Sequence, residues 1–201
     1  TGTHDGISMR KGLIPIYIAA VLRKYQKNVV IRNQFSEVGI SPALLNDINE
    51  SPNDYSVKIE KWSDEKERYI DMLDELFADH IFEADKAKTG YSYLAIAMGR
   101  WYLSLPRYTK ELKQVYTGYL ADETYSEVDG KRRKFIALLK QPSIGALDLL
   151  FSRIPKCFDK EEASVELARE IASAKVFFDQ IKPKLEDALT MDVKKIFCGD
   201  P

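Results

Sequence analysis

Residues 90–108, GYSYLAIAMGRWYLSLPRY, decide the architecture. Tyr91, Leu94, Ala95, Met98, Trp101, Tyr102 and Leu105 recur at three- and four-residue steps, the period that returns side chains to one face of a helix. Ile96, Ala97, Gly99 and Leu103 leave few polar positions between them, so the spacing predicts a central helix covered over most of its circumference. Pro106 ends it, because proline has no N–H to donate and disfavours helical geometry in the residue before it.

Towards the carboxyl terminus the periodicity stays helical. It predicts a helix from Thr109 to Leu120 through Leu112, Val115, Tyr116 and Tyr119, then a turn at Asp129-Gly130 and a basic-headed helix from Lys131 to Lys140 that buries Phe135, Leu138 and Leu139. Ile144, Leu147, Leu149, Leu150 and Phe151 form an apolar segment expected to stop near Pro155. A long amphipathic helix is expected from Lys160, carrying Val165, Leu167, Ala168, Ile171, Ala174, Val176 and Phe178, bent at Pro183 and resumed through Leu185, Leu189 and Val193.

Towards the amino terminus, beyond a polar link at 84–89, Ser63 caps a helix with the stripe Tyr69, Ile70, Leu73, Leu76 and Phe77. Further back the period changes. A helix over Met9 to Tyr25, with Leu13, Ile16, Tyr17, Ala20 and Val21 on successive turns, precedes the β-branched run Asn28 to Arg32 and its hairpin partner Glu37 to Ile40. Ser41-Pro42 opens a short helix through Leu44, Leu45 and Ile48, and Tyr55, Val57 and Ile59 alternate with polar residues as a half-buried strand does. Trp62 is expected to bridge the two parts. The fold class is therefore mainly α: a helical bundle over 63–201 with a small N-terminal α+β module, winged-helix-like in make-up, over 1–62.

The 30 basic residues are balanced by 31 acidic ones, which excludes a global field attracting nucleic acid or an anionic membrane. No apolar run approaches the roughly 20 residues needed to span a bilayer. Two distant cysteines, Cys157 and Cys198, suit a reducing cytoplasm, and no membrane partner is expected. Without an initiating methionine, and closing on the turn-like Gly199-Asp200-Pro201, the chain reads as a segment of a longer polypeptide.

Imidazole comes only from His4 and His80. Asp79, His80, Glu83 and Asp85 could fall within about one helical turn, the layout of a metal site or an acid–base pair, but a solvated helix end is the better explanation, since so many acids nearby make such clusters expected. Phosphate-binding glycine loops and nucleophile elbows are missing, so no catalytic, cofactor-binding or metal-ligating residue is assigned and no cofactor is expected. Lys131, Arg132, Arg133 and Lys134, with Arg100 and Arg107 flanking the central helix, are the candidate nucleic-acid contacts. The short helix from Pro42 carries Asn46, Asp47 and Asn49 and no cation, which favours protein packing over groove reading.

Three patches then resemble one family. Gly12 to Leu22, Asn28 to Ile31, and Ile40 to Leu45 with Asn53-Asp54-Tyr55 resemble a module of very large bacterial P-loop ATPases of phage-defence islands, the BREX-type ATPases and their relatives. Arg100 to Thr109 is similar to their Trp…Leu-Pro-x-Tyr segment, and Leu149 to Phe158 to their Leu-Leu-Phe-x-x-Leu-Pro stretch, with Ile154 in place of the leucine. The resemblance implies a non-catalytic interaction or regulatory segment whose partners are other domains of the same polypeptide or other proteins. No nucleotide-binding residue carries over, because no Walker-type loop is present. The alternative is a nucleic-acid-binding module using the local basic patch, with DNA as partner.

Overall fold

The computed structural model describes residues 11–25, 29–34, 37–38, 40–86, 91–119, 121–141 and 145–198. Residues 1–10 with His4 and Met9, Asn28, Gly39, residues 87–89 of the expected link, Leu120, Ile144 and the terminal tripeptide lie outside them. The fold is mainly helical with a few small antiparallel strands.

Helix α1 (Ile14–Lys24) leads to β1 (Val29–Arg32) and β2 (Glu37–Val38), then α2 (Pro42–Glu50) and β3 (Ser56–Ile59). The sheet order is β2-β1-β3, antiparallel throughout, with Ile31 opposite both Val38 and Val57. Ser41 caps α2 by accepting from the Leu44 N–H at 3.2 Å, as the Ser-Pro pair predicts. Val29 and Ile31 share a small core with Leu22 and Leu44, while Val30, on the opposite face, joins the large helical core. Thus β1 is covered on both sides, which accounts for its unbroken β-branched run.

Two N-terminal expectations are corrected. Helix α1 does not bury its Leu13, Ile16, Tyr17 and Val21 side, which is 44–63% exposed. Its opposite row, with Ile18 and Leu22, packs on the sheet instead; apolar residues on both sides of α1 hid the choice. Strand β3 is not half-buried, for all four residues are exposed, Val57 and Ile59 included. They stand opposite Ile31 and Val29, but at the edge of the sheet, beyond the helices' cover.

Helix α3 (Asp64–Leu76) is capped by Ser63, and its stripe Tyr69, Ile70 and Leu73 is buried together with Phe77 just after it. The short α4 (Glu83–Lys86) precedes α5 (Ser92–Ser104), the central helix. Leu94, Ala97, Met98 and Trp101 of α5 are buried, but Leu103 is 72% exposed, so its cover is narrower than expected. Tyr91 enters α5 with φ +58°, and its ring stacks on Trp62 at 5.3 Å, while Phe151 meets Trp62 edge-on at 6.1 Å. Burial, with Glu67 and Asp71 nearby, pushes the Tyr91 phenol up to about 12.

The helix expected over 109–120 does not form. Helix α6 (Arg107–Lys110) is one turn, and β4 (Gln114–Tyr116) pairs with β5 (Tyr125–Glu127) as a hairpin. Val115 and Tyr116 favour strand geometry once a partner strand is present, and Gly118 at φ +122° takes the chain out of helical space. Helix α7 (Gly130–Leu139) follows, with Asp129 as its cap. Pro155 does not stop the next segment: α8 (Ala146–Asp148) passes through a π turn (Leu149–Arg153) into α9 (Ile154–Cys157), which carries the proline in its first turn. The Leu150 carbonyl in that π turn accepts from the buried Tyr69 hydroxyl at 3.1 Å. Last, α10 (Val165–Cys198) starts later than expected, capped by Ser164, and continues through Pro183, with Val176, Leu189 and Val193 exposed and off the buried stripe expected of them.

Replacing Leu94, fully buried, by alanine should destabilise the chain by about 2–5 kcal/mol in urea unfolding. Leu103→Ala, at an exposed site of the same helix, should stay within about 0.5 kcal/mol.

Candidate interaction surfaces

Four consecutive residues at the start of a helix diverge by about 100° each, so the run 131–134 cannot present four cations to one ligand. Lys131 Nζ donates to the Phe158 carbonyl at 3.2 Å and stands 3.6 Å from Asp159 and 4.0 Å from Glu170. Lys134 lies 3.7 Å from Asp159. Cations at this helix start, unfavourable to its own dipole, instead meet the exit of α9, where Asp159 takes φ +57°. Arg132 lies over the Phe177 ring at 4.5 Å and donates to Ser173.

The two flanking arginines are also engaged. Arg100 pairs with Asp85, which is 4% exposed, donates to the His80 carbonyl at 3.1 Å and covers the Phe82 ring at 4.1 Å. This takes Asp85 away from any cluster with His80, and among the described residues no group of three or more His, Cys, Asp or Glu could hold a metal ion. Arg107 pairs with Glu111 at 3.2 Å on an exposed turn. Of the six cations singled out in the sequence, only Arg133 has a side chain with no ion pair, hydrogen bond or ring contact among the described residues.

Arg133 instead lines a groove of about 350 Å³ with residues the sequence reading had not grouped. Lys140 lies at the end of the same wall of α7, and across from it stand Lys110, the last residue of α6, and Lys113, between α6 and β4. The signal was present as spacing: residues 133 and 140 are two helical turns apart and therefore on one face. Adjacency along the chain does not reveal it.

A second surface is apolar. Leu13 at the cap of α1, Ile16, Tyr17 and Val21 on it, and Val57 and Ile59 of the edge strand β3 all leave large apolar side chains exposed. Separately, the rear of α10 carries Leu189, Val193, Ile196 and Phe197, all at least 48% exposed. Between these last residues one polar group is buried: Asp192 accepts from the Tyr116 hydroxyl at 2.5 Å and the Tyr119 N–H at 2.8 Å, fastening the β4–β5 hairpin to α10. Both cysteines are free, and burial pushes the Cys157 thiol up. Among the described residues no helix is long and apolar enough to cross a membrane.

Arg100→Met should cost about 3 kcal/mol in urea unfolding, because Asp85 keeps its burial and loses its guanidinium. Arg107→Met, at an exposed pair, should cost at most about 0.5 kcal/mol. The hydrogen bond to Asp192 raises the Tyr116 phenol above its ordinary value. Its contribution is therefore complete below about pH 10 and is lost as pH rises through the raised value. Tyr116→Phe should remove that alkaline step from the near-ultraviolet circular dichroism.

Compared with family models, curated proteins and solved structures, the chain finds no match in any of the three.

Proposed function

We propose that this chain is a non-catalytic interaction or regulatory segment of a larger cytoplasmic P-loop ATPase linked to phage defence. Its partner is another domain of the same polypeptide, and its N-terminal module, residues 1–62, is winged-helix-like. The resemblance of Gly12 to Leu22, Arg100 to Thr109 and Leu149 to Phe158 supports the family. The observation that carries the interaction role is the apolar surface of α1 and β3, where six large side chains are 44–68% exposed. Isolated exposed apolar residues are ordinary, but a row along one helix together with an edge strand is what a partner surface covers. The polar groups point the same way: Arg100, Asp85, Lys66, Glu60 and Asp192 serve contacts between elements.

The test begins with the reading frame on either side of this segment, where a phosphate-binding loop is expected upstream. In the complete polypeptide, Ile16→Glu with Tyr17→Glu should change ATP turnover several-fold. The same pair in the isolated chain should move its stability by no more than about 0.5 kcal/mol per site. A frame encoding no such loop, or turnover indifferent to the double substitution, would overturn the proposal.

A further inference from the structure

The groove between α7 and the α6–β4 segment holds charge that the fold leaves unused. Arg133 and Lys140 stand on one wall, about 10 Å apart along the helix, and Lys110 and Lys113 on the other, above a floor that includes Leu112, Ile136 and Phe178. Among the described residues Arg133, Lys113 and Lys140 make no ion pair, and Lys110 is held in place by its bond to the Leu103 carbonyl at 2.9 Å. Glu111, the one acid in the lining, is occupied by Arg107. Gathering like charges on two walls is unfavourable in itself and is relieved by a polyanion.

We propose that this groove binds the phosphodiester backbone of a single-stranded nucleic acid. The cations are spread along the groove instead of gathered at one point, which suits successive phosphates better than one terminal phosphate. Cations from two elements facing one groove suit a single strand laid between them. The Tyr102 ring lies under the Lys110 ammonium at 5.1 Å and is not free for stacking, so recognition is independent of base sequence. Arg133 alone belongs to the consecutive basic run, and the other three cations come from elsewhere in the chain.

The experiment is fluorescence anisotropy of a labelled oligothymidine strand titrated with the chain at two salt concentrations. Four phosphate contacts on a single strand predict roughly a fifty-fold loss of affinity between 50 and 200 mM salt. Arg133→Glu with Lys140→Glu should weaken binding at least tenfold and flatten the salt dependence. Lys194→Glu with Lys195→Glu, the same charge change on the rear of α10, should alter it less than twofold. If the first pair perturbs folding, Lys113→Gln with Lys140→Gln, both exposed, should still give a several-fold loss. The proposal is overturned by no binding at low salt, by equal losses from the groove and α10 substitutions, by tighter binding of duplex than strand, or by a nucleoside triphosphate that binds where the strand does not.

Discussion

The burial of Trp101 is the constraint on which the helical part depends. Its ring meets Phe77, Phe135 and Phe178 at 5.7, 6.1 and 6.4 Å, one aromatic each from the end of α3, from α7 and from α10. An indole this deep must also satisfy its N–H, and Asp179 accepts it at 2.8 Å while pairing with Lys175. One side chain thus fixes the distances between α5 and three neighbours. Leu94, Met98, Leu147, Leu150 and Leu167 complete the same core.

Charged groups serve the joints between elements. Lys66, nearly buried, ties α3 to the strand before it through Glu60 Oε1 at 2.6 Å and the Lys61 carbonyl at 2.9 Å. Lys160 bridges the loop before α10 to Glu166 and Glu170, which raises its own pKa and lowers that of Glu166. The Arg100–Asp85 pair joins α5 to α4, and Asp192 joins α10 to the hairpin. Polar chemistry in this chain is mostly architectural, and the groove with Arg133 and Lys140 stands apart because it closes no joint.

Much of the fold was legible because burial follows period. The central helix, the Ser63 and Ser41 caps, β1 with β2, and α7 follow from spacing and cap chemistry, whereas Trp62, expected between the two parts, meets Tyr91 and Phe151 of the helical part. Two kinds of information were not local. The β4–β5 hairpin depends on Tyr125 to Glu127 arriving opposite Gln114 to Tyr116, and nothing in residues 109–120 alone announces that partner. The orientation of α1 depends on which of two apolar rows meets the sheet, a decision made by Leu22 and Ile18 against Val29, Ile31 and Leu44. The groove failed to appear for a related reason: its cations are neighbours on a surface, not along the sequence.

Pro183 sits where the buried part of α10 ends, two residues after Ile181. Lacking an N–H, it leaves the backbone carbonyl of Asp179 without its usual helical donor, in the same residue whose carboxylate holds Trp101. Beyond this point the helix keeps its geometry but contributes almost nothing to the core. Residues 184–198, Asp192 apart, are consequently under little packing constraint, so sequence drift there can re-specify what the chain touches while the interior stays intact.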